Sequence, residues 1–183
     1  DVTPVFRMPR TAASYGSNDD AGDLRTDARA AARAAGYVLT DYDYDVTCLR
    51  NVPGFGWAGL GFVGAPGSWI RGTSSVGVTA HELGHNYGLN HANFWDTEGP
   101  TVTGPGQSIE YGDKFDTMGA ASAGNNHFSA RYKQRLGWLQ TGEFTVATTN
   151  GTYRLHAHDQ TNAVAGSRGL QVFANARTNY WVE

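Results

Sequence analysis

Apolar and polar positions change period several times along the chain, and each change predicts an element. After an extended stretch from Val2 to Met8, residues 20–36 (DAGDLRTDARAAARAAG) put Leu24, Ala28, Ala31 and Ala35 on one helical stripe. Acidic residues fill the first turn, and Gly36 stands where a left-handed residue ends a helix. A stripe made mostly of alanine lets the helix lie close to a sheet. Three extended runs follow to supply that sheet: Tyr42 to Arg50, Gly56 to Val63 and Ser68 to Arg71. A second helix is expected from about Val76. Beyond it lies a Gly-, Asn- and Pro-rich region reaching Asn126, then a short helix (ARYKQRLGW) opened by Ser129 as N-cap, then strands. In FTVATTNGTYRLHA, Asn150-Gly151 sits between two alternating runs and predicts a hairpin pairing Phe144 with Ala157, Val146 with Leu155 and Thr148 with Tyr153. The order is that of a mixed α+β fold without repeats.

Composition narrows the function classes. A chain of 183 residues is one ordinary domain or slightly more, and no apolar run approaches the roughly 20 residues of a membrane span. With 14 Lys plus Arg against 17 Asp plus Glu, the net charge of -3 offers no footprint for nucleic acid or acidic lipid. The sequence opens at Asp1 without the charged n-region and apolar h-region of a signal peptide, and NYWVE ends it on an apolar, strand-like run with no partner signal. Both features lead to the expectation of a trimmed form whose natural chain continues past Glu183 into further β-structure.

Three smaller clusters have bland readings beside functional ones. Cys48 is the only cysteine; within its alternating run it is expected to pack as a small hydrophobe, the alternative being a thiolate that blocks a zinc site. Asp41, Asp43 and Asp45 have ion-loop spacing, but an EF-hand needs Gly in place of Val46 and Glu in place of Val52. An alternating acidic strand face explains them better, and an irregular Ca2+ site stays open. His156 and His158 share the other face of the expected hairpin, either as a weak chelating pair or as a solvated surface.

The chemistry concentrates in HELGHNYGLNH, residues 81–91, which holds three of the six histidines. On a helix His81 and His85 lie one turn apart and face the same way, so both imidazoles reach one zinc at about 2.0–2.1 Å. If the helix ran on, His91 would stand about 15 Å along the axis from His81, out of reach. The helix must therefore stop, and Gly88 is placed to turn the chain out so that His91 folds back as third ligand. Three histidines leave a fourth position for water, as in catalytic zinc sites. Glu82, next to the first ligand, is suited to take that water's proton. The chain's own frequencies of His, Glu and Gly give this five-position pattern a chance occurrence of about two in a hundred thousand, which rules out accident.

The pattern HExxHxxGxxH with Asp116-Thr117-Met118-Gly119 downstream resembles the signature of the metzincin metalloproteases. Ala92 after the third histidine, GWAGLGFVG before the helix, EYGDKFDTMG and SARYKQRLGWL are similar to the gametolysin-like branch, over roughly residues 44–139. The resemblance implies a metzincin-like α+β fold: a twisted mixed sheet with a backing helix and an active-site helix, then an irregular subdomain with a methionine turn and a short helix, then β-strands. It implies a zinc metalloprotease domain over residues 1–140, with an upper subdomain to about residue 91 and a lower one over 92–140, followed by a β-rich segment over 141–183. Met118 is then a hydrophobic floor under the site rather than a ligand. Some metzincins place a tyrosine ligand two residues past the turn methionine; Ala120 stands there, and Tyr111 is the nearest substitute, with surface packing as its alternative role.

The activity so implied is that of a secreted zinc endopeptidase acting on protein or peptide substrates, one catalytic Zn2+ held by His81, His85 and His91, Glu82 as general base, and Gly88 and Met118 supporting the site. The glycine-rich run Gly59 to Gly64 would border the cleft, where an extended substrate adds as a strand. Two other classes share the residues: a non-catalytic adhesion or binding domain with a zinc, and a zinc hydrolase of a non-peptide amide. Cleavage preference depends on loops between Ala92 and Asn126, and neither it nor the oligomeric state is legible in composition.

Overall fold

A computed structural model describes residues 1–72, 75–120, 127–157 and 165–183. Among them the chain forms a mixed α+β fold of short elements, in two compact units, Asp1–Asn90 and His91–Glu183.

The first unit runs α1 (Ala12–Gly16), α2 (Ala21–Ala34), a 3-10 turn (Leu39–Asp41), β1 (Val46–Leu49), β2 (Gly59–Gly61), β3 (Ser68–Arg71) and α3 (Val76–Asn86). The strands form one sheet in the order β1-β3-β2, β1 parallel and β2 antiparallel to β3. Central β3 is buried at Ser68, Trp69 and Ile70 in succession, so both its faces are covered. Trp69 points to one face, into a core with Tyr15, Ala21, Leu24, Val52 and Phe55, and its indole N–H donates to the Ala21 carbonyl at 2.8 Å. Ser68 and Ile70 point to the other face, and their register partners on β2 are Gly61 and Gly59. Helix α3 packs on β2 and β3, so the two glycines are the floor on which it rests.

Several details depart from the sequence expectations. The buried stripe of α2 is Ala21, Leu24 and Ala32, with Ala28 and Ala31 half-buried; Ala35 is exposed because the helix ends at Ala34 and Ala35 caps it. Gly36 takes the left-handed backbone expected of the stop, at φ +93°. The extended run Tyr42 to Arg50 forms a strand only at Val46–Leu49, the edge of the sheet. Cys48 is exposed there, which overturns its packing role: register puts it opposite Ile70, on the face of α3, but at the strand farthest from β2.

The second unit contains β4 (Phe94–Asp96), β5 (Gln107–Ile109), α4 (Ala130–Arg135), β6 (Thr145–Ala147), β7 (Leu170–Phe173) and β8 (Asn179–Val182). β4 and β5 pair antiparallel within a region expected to be irregular. Ser129 is the N-cap of α4, but its side chain makes no cap bond; the Asp116 carboxylate accepts its backbone N–H instead, at 2.8 Å. The expected hairpin around Asn150-Gly151 does not form. β6 pairs parallel with β7, and residues 151–157 are not strand. The non-local partner prevails over the local turn signal because the segment leading into β7 bonds both flanks: Thr145 N donates to Gly169 O, and His156 N to Ser167 O. The terminal run is not unpartnered either, since β8 pairs antiparallel with β7 from Asn179 to Val182. His158 lies outside the described residues.

Candidate metal centre

Helix α3 begins at Ser75, whose hydroxyl accepts the Val78 N–H at 3.1 Å, and it carries His81, Glu82 and His85 inward, all under a tenth exposed. The two imidazoles lie with ring centroids 4.8 Å apart at 85°. The helix then stops as the sequence requires. Gly88 has φ +90°, its N–H donates to His85 O at 2.8 Å, and Leu89 N–H donates to Gly84 O at 2.9 Å. That pair of bonds is a Schellman stop with Gly88 at its left-handed position. Leu89 is fully buried just beyond.

His81, His85 and His91 each offer one ring nitrogen, all within 4.8 Å of one another. Nitrogens sharing an ion at about 2.0–2.1 Å are at most about 4.2 Å apart, so the set lies close to the spacing that one ion requires. The hydrogen bonds behind the rings favour such an ion. His85 Nδ1 is 2.8 Å from the Leu89 carbonyl, which only accepts, so Nδ1 carries a proton and Nε2 would be the ligating nitrogen. His91 Nδ1 is 2.7 Å from Glu110 Oε1, with the same consequence where that carboxylate is ionised. Imidazoles whose Nδ1 atoms have oxygen acceptors behind them suit a borderline-soft divalent ion such as zinc.

Glu82 lies under β2. A Cβ at Gly59 would fall 2.4 Å from Glu82 Oε1, and one at Gly61 would fall 2.7 Å from the Glu82 carbonyl and 3.2 Å from His85 Cβ. Neither glycine has positive φ, so they are needed for space, not for backbone conformation. Burial pushes the Glu82 carboxyl up to about 7, and a dication beside it acts in the opposite direction.

Around His91 the support comes from turns. Tyr132 OH donates to the His91 carbonyl at 3.2 Å, and the Tyr111 ring lies 3.9 Å from the imidazole centroid at 34°. Tyr111 is itself left-handed, at φ +58°. Ala92 N–H donates to the Met118 carbonyl at 2.9 Å, and Met118 is fully buried in the turn that follows Asp116. Asp116 holds that turn: its Oδ1 accepts Met118 N–H at 2.6 Å and its Oδ2 accepts Ser129 N–H.

The chain matches the family model described as gametolysin peptidase M11 over residues 17–180. It belongs to that family. The family is one of metallopeptidases, which fits a histidine cluster able to take a metal. Neither the curated proteins nor the solved structures provided a match.

His81, His85 and His91 come together, Glu82 is buried and next to the first of them in sequence, Gly88 makes the stop, Met118 is buried, and Tyr111, itself exposed, lies tilted against His91. Glu110, Tyr132 and the spacing role of Gly59 and Gly61 were missed, because each acts on a residue far from it in sequence; Asp116 was named within the turn motif, but not its bond to Ser129 N–H, thirteen residues on. The acidic run does not make a calcium site through Asp45, whose two oxygens accept from Arg25 and Arg29. Among the described residues no helix is long and apolar enough to cross a membrane.

Proposed function

We propose that this peptidase is a secreted, zinc-dependent endopeptidase of metzincin type. The observation that carries the reading is the set of three histidines behind a helix stop at Gly88, with the buried Glu82 carboxylate next to the first of them. Zinc bound there supplies a Lewis acid that activates water and polarises the scissile carbonyl. His81, His85 and His91 would hold it, each through one ring nitrogen. Glu82 accepts the water's proton on a carboxylate oxygen and delivers it to the departing amine nitrogen. Gly59 and Gly61 keep that carboxylate against β2, whose outer edge offers backbone groups to an extended peptide by strand addition. The buried Met118 would be the hydrophobic floor of such a site, and Tyr111 would bear on it through His91 rather than as a ligand. In this reading residues 1–140 are the catalytic domain and 141–183 a β-rich segment.

Two variants test it. Glu82→Gln retains size but takes no proton at neutral pH, so it should keep one zinc and the parental melting temperature while peptide hydrolysis falls by at least about 10²-fold. His91→Ala removes a ligand and should lose zinc and activity together. Zinc content, melting temperature and cleavage of a denatured protein are measured on both beside the parent. A Glu82→Gln variant as fast as the parent refutes the base; a zinc-replete parent that cleaves no peptide favours an adhesion domain or a hydrolase of other amides.

A further inference from the structure

We propose that Glu110 is a positioning residue for the third histidine, holding His91 in the tautomer and orientation that present Nε2 to a metal. The inference rests on the zinc-site reading above and adds a residue outside the HELGHNYGLNH pattern.

His91 needs such a partner more than the other histidines do. His81 and His85 stand on α3, whose backbone fixes their Cα–Cβ directions, whereas His91 follows the helix stop on irregular chain and its side chain is 24 % exposed. An imidazole on irregular chain is free to rotate and to exchange its proton between Nδ1 and Nε2. The bond from His91 Nδ1 to Glu110 Oε1, at 2.7 Å, removes both freedoms, because a carboxylate accepts and leaves the proton on Nδ1. The Tyr111 ring, tilted 34° over the imidazole at 3.9 Å, restrains the ring plane from one side.

The hairpin delivers Glu110 to this place. β4 and β5 pair with Phe94 opposite Ile109, so the next pair outward is Asn93 and Glu110, flanking the His91 end of the hairpin. There the side chain of Asn93 takes over from the ladder: its Oδ1 accepts Tyr111 N–H and its Nδ2 donates to Ser108 Oγ, both at 3.2 Å. Gly112 N–H closes the turn on Ile109 O at 3.1 Å. Glu110 is therefore held from both sides in sequence while its own side chain remains 67 % exposed. A carboxylate so exposed contributes little to the metal-free fold, which separates its effect on the metal from any effect on folding.

The test uses the full chain, zinc alone as the probe and chelator competition as the readout, with metal-free melting measured in parallel. Glu110→Ala should weaken zinc about 10–100-fold, the usual cost of losing a partner behind a metal-bound histidine. Glu110→Gln, which still accepts but carries no charge, should fall between parent and alanine variant. Metal-free melting should match the parent in both. If the parent binds zinc and Glu110→Gln and Glu110→Ala bind it equally tightly, the inference is overturned while the zinc site stands. If Glu110→Ala lowers metal-free melting and Glu110→Gln restores both melting and zinc affinity to parental values, Glu110 is structural and the inference is again overturned. If the parent itself takes up no zinc, the site reading fails first.

Discussion

His85 and His91 both have Nδ1 occupied, yet by different kinds of structure. The acceptor for His85 is the Leu89 carbonyl, four residues on, and everything that places it lies between Gly84 and Leu89. The acceptor for His91 is a side chain nineteen residues away, carried by a hairpin, with Tyr111 and Tyr132 bearing on the same residue. The first arrangement costs little loop entropy and is written in one short stretch of sequence. The second depends on several contacts that must all form. The proposed metal site would therefore be specified locally at His85 and by distant parts of the chain at His91.

The largest expected effect is at the single residue on which both kinds of support depend. Gly88→Val forces a β-branched residue into φ +90°, and strain of that kind costs about 1–3 kcal/mol. Relief of the strain undoes the helix stop, moving the Leu89 carbonyl from His85 and redirecting the chain toward His91. Zinc affinity should fall by about 10–100-fold, at roughly 1.4 kcal/mol per tenfold. A Gly88→Val protein with parental zinc affinity would show that the local stop is not what brings the ligands together.

Next comes the space under Glu82. In Gly59→Ala the new methyl would lie 2.4 Å from Glu82 Oε1 and 2.8 Å from its Cδ, so the carboxylate must move. The flexible end of a side chain yields cheaply, so melting and zinc content should stay near parental values while kcat falls by up to about 10²-fold, the cost of a misplacement of about 1 Å. Gly56→Ala, with nothing within 4 Å, is the control and should leave all three quantities unchanged. Equal activities for the two variants would remove β2 from the site.

The same contrast explains what was legible in the sequence. Helical spacing, a glycine stop and a chance-resistant pattern made His81, Glu82, His85, Gly88 and His91 readable, because each acts within eleven residues of the others. The α+β order and the three strands of the first sheet followed from period and composition. Glu110 was not readable, since its meaning depends on the β4–β5 register, and that hairpin lies in a stretch whose glycines and prolines suggested irregular chain. The Asn150-Gly151 turn misled for the converse reason: a strong local signal lost to β7, a partner more than twenty residues on.

Asp116 tests the non-local support without touching the metal. It is 1 % exposed and accepts two backbone N–H groups with its two oxygens. Asp116→Asn retains the shape but turns an NH2 group toward one of those donors, leaving a buried N–H unsatisfied at about 1–3 kcal/mol. The urea midpoint of the metal-free protein should fall accordingly. An unchanged midpoint would mean that the turn at Met118 is held by packing alone.

The smallest effect is expected where a non-local contact is shared with water. Asp45 accepts from Arg25 Nε at 2.8 Å and Nη2 at 2.6 Å and from Arg29, two arginines one turn apart on α2. Burial pushes the Asp45 carboxyl up, but the hydrogen bonds and charges of Arg25 and Arg29 outweigh it, and the group ends below its ordinary value. A carboxyl depressed on folding contributes stability that is present above its unfolded pKa and is lost as pH falls through the folded one. With a quarter of the Asp45 side chain exposed, screening limits the contribution to about 1 kcal/mol. Asp45→Asn should therefore be less stable than the parent by about that amount at neutral pH, and the difference should close as pH drops below about 4. Urea unfolding of both proteins at neutral and acid pH measures it. A gap that persists in acid would mean that Asp45 acts through shape rather than charge, and that exposed non-local contacts in the first unit carry as much weight as the buried ones around Asp116.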